Sequence, residues 1–180
     1  DTFRAEIARR AHEEFSADII NDISGGGLDD KMIETVGKLN IVYLGMHMRG
    51  TPATMQQLTQ YDNLMFDLSR YFGELIKKCK DAGIADIIID PGIGFSKTLD
   101  QNYHIINNLE ILQSLGYPIL IGVSRKSFLY RFFEDKPENM LNATTVMNTI
   151  SLLKGVNIIR VHDVKEAVEA VKLVQKTLNA

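Results

Sequence analysis

The feature that most restricts this chain is an alternation. Five short apolar runs, ADIINDIS (17–24), NIVYLGMHM (40–48), ADIIIDPG (85–92), PILIGVSRK (118–126) and NIIRVHDV (157–164), are rich in Ile and Val, and helical patterns separate them. Runs apolar on both faces suit strands buried on both faces, as in a parallel sheet covered by helices. The intervening segments repeat apolar residues at three- and four-residue spacing. They are 29–38 (Met32, Ile33, Val36), 61–80 (Leu64, Leu68, Phe72, Leu75, Ile76), 101–115 (Ile105, Leu109, Leu112), 140–154 (Leu141, Val146, Ile150, Leu153) and 164–178 (Val164, Val168, Val171, Val174, Leu178). A leading helix is predicted behind Thr2 as N-cap, with Phe3, Ile7, Ala11 and Phe15 on its apolar face. Gly37, Gly83, Gly116 and Gly155 fall near helix ends, where a left-handed residue is commonly needed.

Strict strand–helix alternation predicts an α/β fold with a parallel sheet. No linker or low-complexity segment divides residues 1–180, so they are read as one domain. A doubly wound sheet and a (β/α)8 barrel both fit the pattern. A whole barrel needs roughly 250 residues. Five complete βα units and a leading helix make a barrel only if its first strands are missing. Asp1 sits where a preceding strand would end, and the expectation is a chain cut from something longer.

Composition excludes several classes. A net charge of -3, with no Lys/Arg cluster, argues against a nucleic-acid partner. No apolar run is long enough to span a bilayer. Cys79 is the only cysteine and has no internal partner, which fits a reducing, cytoplasmic setting.

Each apolar run ends in a polar residue: Asn21, His47, Asp90, Lys126, and the pair Arg160/His162. In parallel α/β folds the loops after the strand C-termini build the site, so these groups are expected to converge there. An ionised Asp90 accepts two parallel hydrogen bonds, which suits an amidine-like edge such as a 2-amino-pyrimidinone. Asn21 offers a donor and acceptors to the same edge. Arg160 and His162, two apart on a strand, share one face and make an anion site. The ligand so described is a heterocycle at one end and a phosphate at the other.

Plainer readings stand beside these. Asp-Pro-Gly is a common turn, Asn21-Asp22 suits a short capped turn, and SGGG (24–27) reads as a flexible loop lacking Walker spacing. SRK (124–126) can be a solvated loop end, and Ser124 shows no evident His–Asp partners for nucleophilic work. His47, among methionines, reads as a neutral core histidine rather than a ligand. Four scattered histidines and one cysteine make no metal set. Arg160 is harder to explain blandly, because an arginine inside an apolar strand is costly unless paired.

Taken together and in order, IINDIS, MHMRGTP, DPGIGFSK, GVSRKSF and IIRVHDV closely resemble the dihydropteroate synthase family of folate biosynthesis. The resemblance implies a (β/α)8 barrel of TIM type, with about the last five βα units present here. It implies a transferase that joins a dihydropterin-methyl diphosphate to 4-aminobenzoate and releases diphosphate, with sulfonamides as competitors. Asp1, Asn21, Asp90 and Lys126 would hold the pterin ring. Ile23, Met46, Phe95 and Gly122 would line its pocket. Arg160 and His162 would bind the diphosphate, and Ser127, Lys126 and Phe95 would border the aminobenzoate.

Lys126, Arg160 and His162 are then the catalytic candidates. Mg2+ would be held by the diphosphate and by an Asn in a preceding loop that this sequence lacks. A homodimer is also implied. The rival readings are a pterin-binding methyltransferase, which has no use for an Arg160/His162 diphosphate pair, and an inactive fragment of the synthase.

Overall fold

A computed structural model describes all 180 residues. Five strands form in the expected runs: β1 (Ile19–Asp22), β2 (Val42–Met46), β3 (Ile87–Asp90), β4 (Leu120–Ile121) and β5 (Ile158–Ile159). Every pairing is parallel. β1, β2 and β3 form one ladder, a bridge between Ile89 and Ile119 joins β3 to the start of β4, and β4 pairs with β5. The strands therefore lie side by side in chain order.

Helix α1 (Ala5–Phe15) precedes the strands. The crossovers contain α2 (Met32–Leu39), α3 (Leu64–Asp81), α4 (Leu99–Asn107), α5 (Leu109–Gln113), α6 (Ser127–Phe132) and α7 (Leu141–Leu153), and α8 (Val164–Leu178) ends the chain.

The two faces of the sheet differ. Ile20, Tyr43, Ile87, Ile89, Ile119 and Ile121 join a core of 28 buried residues with Leu68 and Phe72 of α3, Ile105 of α4 and Leu112 of α5. Burying one such side chain contributes roughly 1.5–3 kcal/mol. The alternate residues Leu44, Ile88 and Leu120, with Val42 and Ile158, form a second cluster that contains no helical residue. Helices on one face only, with strands in sequential order, rule out the doubly wound sheet, which carries helices on both faces.

Several local expectations are corrected. Thr2 is not the N-cap of α1. The helix starts at Ala5, whose N–H is capped by the Asp29 carboxylate at 2.7 Å, so a residue 24 positions away stops its fraying. Its buried residues are Ala5 and Ala8, while Ile7 and Phe15 are exposed. The 101–115 helix is two helices, broken at Asn108, whose amide turns back to the His104 carbonyl at 2.8 Å. On α7 the small or polar Thr144, Asn148 and Ser151 are buried and Val146, Ile150 and Leu153 are exposed. On α8, Ala167, Ala170 and Val174 are buried, whereas Val164, Val168 and Leu178 face out. A small residue lets a helix lie close to its neighbour, and that closeness decides the face. Gly37 lies inside α2 rather than at its end: a Cβ there would run into the Ala82 carbonyl, and Asn40 is the left-handed cap instead.

Candidate functional site

Side-chain alternation places the site. Leu44, Ile88, Leu120 and Ile158 point away from the helices, and the residues two further on are Met46, Asp90, Gly122 and Arg160. Since side chains alternate with a period of two, these four face the same side, one step further along each strand. Asn21 faces the same side on β1, one residue past Ile20 of the helix-side core and opposite Leu44. The same rule explains why His47 is absent from the mouth: one residue beyond Met46, it turns to the helix side, where it is 3% exposed. Burial draws its imidazole down to about 2, so it is neutral, as a core histidine should be.

At the β1 edge, the Thr2 N–H donates to the Asn21 carbonyl at 3.0 Å and lays the first residues alongside the strand end. Asn21 then donates from its amide to the Asp1 carboxylate. The other Asp1 oxygen lies 3.6 Å from the Arg160 guanidinium, so Asp1 links the end of β1 to the end of β5.

Asp90, the last residue of β3, lies opposite Met46 and is 2% exposed. One of its oxygens accepts the Gly92 N–H at 2.7 Å. Burial raises its pKa, and the Lys126 charge, the Gly92 N–H, Arg160 and Lys97 oppose that rise. Gly92 has φ +70, and a Cβ on it would run into the His47 carbonyl, so this turn requires glycine.

Lys126 donates to the Ile93 carbonyl and sits over the Phe95 ring at 5.0 Å. Burial pulls its ammonium down to about 8, partly offset by Asp90. Gly122 lies against the guanidinium across the sheet, where a Cβ would be in ordinary contact, 3.4 Å from Arg160 Nε.

Asp1, Gly122, Ser124, Lys126, Arg160, Val161 and His162 line one cleft of about 330 Å³. β5 ends at Ile159, so Arg160 and His162 do not share a strand as expected. The ladder bond from Arg160 N–H to the Ile121 carbonyl at 2.9 Å holds the first, and Ser124 holds the second. Asn21, Ile23, Met46, Asp90 and Phe95 do not line this cleft. Ser127 lines a separate small recess with Gly94, Lys97 and Asn102.

Four residues escaped the sequence reading in this role. Ser124, set aside for want of partners, has one: its Oγ lies 2.9 Å from His162 Nδ1 and accepts the His162 main-chain N–H at 3.2 Å. Arg125 is no solvated loop end but forms a two-pronged pair with Asp163, at 2.7 and 3.0 Å. Asp22, fully buried, accepts from Ser24 N and Oγ, Gly26 N and Tyr43 Oη at 2.7–2.8 Å, and so makes SGGG an ordered turn. Lys97 is 4% exposed behind the Asp90 turn. A hydrophilic residue just before or after an expected turn was the available signal in each case, and it does not distinguish a buried partner from a solvated side chain.

No group of three His, Cys, Asp or Glu side chains converges to hold a metal ion. The cleft instead presents Lys126 and Arg160 beside a single carboxylate, Asp1. These residues do not fit a Mg2+ cage, which takes hard oxygen donors. Nor is any helix long and apolar enough to cross a membrane.

Comparison with known proteins agrees with this fold. The pterin-binding enzyme family matches residues 1–162. The dihydropteroate synthase of Escherichia coli is 37% identical over 182 positions, covering 100% of this chain and 64% of the relative. That of Bacillus subtilis is 36% identical, covering 99% and 61%. The chain thus spans less than two thirds of the length of these relatives. Among solved structures, the Yersinia pestis dihydropteroate synthase with a sulfonamide drug complex superposes with a TM-score of 0.96 at 36% identity, over 100% of this chain and 66% of that one. The Thermus thermophilus enzyme in complex with 6HMPPP gives 0.91 at 28% identity, over 98% and 70%.

Proposed function

Since this chain belongs to the pterin-binding enzyme family, we propose that the protein it represents is a dihydropteroate synthase. It condenses 6-hydroxymethyl-7,8-dihydropterin diphosphate with 4-aminobenzoate to give 7,8-dihydropteroate and diphosphate. The observation that carries this reading is one juxtaposition: a buried carboxylate, Asp90, feels the charges of Lys126 and Arg160, and these two line one cleft with His162. One end of such a site takes hydrogen-bond donors and the other takes an anion. The relatives named above are synthases of this kind.

Residues 1–180 form a single pterin-binding domain, five βα units of a (β/α)8 barrel. Sequential parallel strands with helices on one face support it. Asp90 receives the amino and ring N–H edge of the pterin, with Asn21 and Asp1 beside it and Ile23, Met46, Phe95 and Gly122 around the ring. Lys126, between Asp90 and the Phe95 ring, orients the pterin and borders the aminobenzoate with Ser127.

The reaction begins as the pterin methylene carbon loses its bond to the diphosphate oxygen. Arg160 and His162 take up the negative charge growing on the leaving group, and Asp90 faces the electron-poor pterin. The arylamine nitrogen then bonds to the methylene and releases a proton. The work is electrostatic placement, and no covalent nucleophile is required. Mg2+ would be carried by the diphosphate oxygens, with no residue of this chain assigned to it. Sulfonamides compete at the aminobenzoate place. The exposed Val146, Ile150 and Leu153 of α7 support assembly as a homodimer.

The deciding experiment follows diphosphate release from the full-length protein with both substrates and Mg2+. Release that depends on 4-aminobenzoate and is suppressed by a sulfonamide is expected. Transfer of a methyl group to an acceptor, with no diphosphate released, would overturn the assignment in favour of the methyltransferase rival.

A further inference from the structure

The turn that carries Asp90 is fastened from below by a buried lysine. Lys97 Nζ lies 3.1 Å from the Gly92 carbonyl, 2.9 Å from the Phe95 carbonyl and 3.1 Å from His47 Nδ1. An ammonium has three N–H donors and no acceptor. The His47 ring is neutral, so its Nδ1 accepts and its proton sits on Nε2. Each of the three donors thus has one acceptor. All three partners are uncharged, and a buried cation held only by uncharged groups is costly without a counter-ion. The counter-ion is Asp90, two residues before Gly92. Lys97 and Asp90 act on each other, each favouring the other's charged form.

We propose that Lys97 is a positioning residue: its ammonium ties Gly92, Phe95 and His47 together beneath the ligand and so fixes the turn that carries Asp90, and its charge adds to that of Lys126 in favouring the Asp90 carboxylate. This deepens the assignment above and rests on Asp90 as the pterin partner. The same turn sets Phe95 against Lys126, so one buried cation orders both the polar and the aromatic wall of the pocket.

The groups facing this cluster are few. His47 and Arg49 come from the loop after β2, Lys126 from the loop after β4, and Arg160 from the end of β5. On the acid side of neutrality His47 stays neutral. Lys97, which burial lowers to about 7, and Lys126, at about 8, both keep their protons there. Asp90, whose pKa burial raises, is the acid of the cluster.

The test measures 6-hydroxymethylpterin, which lacks the diphosphate, by titration calorimetry in the full-length protein from about pH 6.5 down to about pH 5. Lys97→Met should bind more weakly than wild type. The ratio of the two dissociation constants should widen as pH falls, toward tenfold for each unit by which the substitution raises Asp90. Lys97→Arg keeps the charge but not the compact three-donor head, so its ratio should stay flat with pH. A flat ratio for Lys97→Met, or unchanged binding, would overturn the charge role and leave the Asp90 assignment standing. Wild type that binds no pterin overturns both. Should the Met variant not fold, nitrogen-15 spectra of the wild-type His47 ring decide. A proton on Nε2 with Nδ1 accepting is expected, and a proton on Nδ1 would overturn the three-acceptor arrangement.

Discussion

One oxygen, Ser124 Oγ, holds His162 at two points: the main-chain N–H at 3.2 Å and ring Nδ1 at 2.9 Å. The ring is otherwise exposed just past the end of β5. Ser124→Ala removes both contacts and leaves the ring free to turn from the cleft. Losing a bond of this kind costs about 1 kcal/mol, so affinity for the pterin diphosphate should fall roughly fivefold. Affinity for 6-hydroxymethylpterin should hold. Calorimetry with both ligands checks this, and equal losses would show that Ser124 supports the pocket as a whole.

Asp90→Asn preserves shape and replaces one acceptor with a donor facing the pterin amino edge. A charge-assisted pair contributes roughly 1.5–3 kcal/mol, so pterin affinity should fall about ten- to a hundredfold. Unchanged binding would reduce Asp90 to a turn residue held by Gly92.

Arg160→Met keeps the bulk of the stem beside Gly122 and deletes the charge. The diphosphate substrate should weaken strongly, while a pterin without diphosphate should scarcely change, because separate contacts tend to add. Arg160 is 39% exposed, so raising salt should reproduce part of the loss in wild type. Equal loss of both ligands would end the anion assignment.

His47 predicts a pH dependence of stability. Its folded-state value, lowered to about 2, lies below the ordinary value of 6.5. Between those limits the unfolded chain takes a proton that the folded chain refuses, so stability falls as pH drops below 6.5. The slope from this one group is up to about 1.4 kcal/mol per pH unit. His47→Gln, which retains an acceptor for Lys97, should flatten the acid side of a urea-unfolding series. An unaltered slope would mean that the ring is protonated inside the fold.

Much of the site was readable because a period of two is a property of the strand itself. Once Leu44, Ile88, Leu120 and Ile158 form one face, Met46, Asp90, Gly122 and Arg160 follow by counting. The same count sets His47 on the helix side, away from the mouth. What counting could not reach was partnership across the chain: Asp29 capping α1 from beyond β1, Ser124 gripping His162, and Arg125 pairing with Asp163.

By itself, then, the sequence determined the alternation of strands and helices and the apolar runs whose polar ends gather at one rim, because both follow from local periodicity and burial. Only the tertiary structure decided that the helices cover one face, that α7 buries Thr144 and Ser151 instead of Val146 and Ile150, and that Lys97 is enclosed. Those outcomes depend on which surfaces meet. A lysine in a Gly-rich turn reads as solvated until a neutral imidazole from 50 residues away closes over it, beside two carbonyls of its own turn.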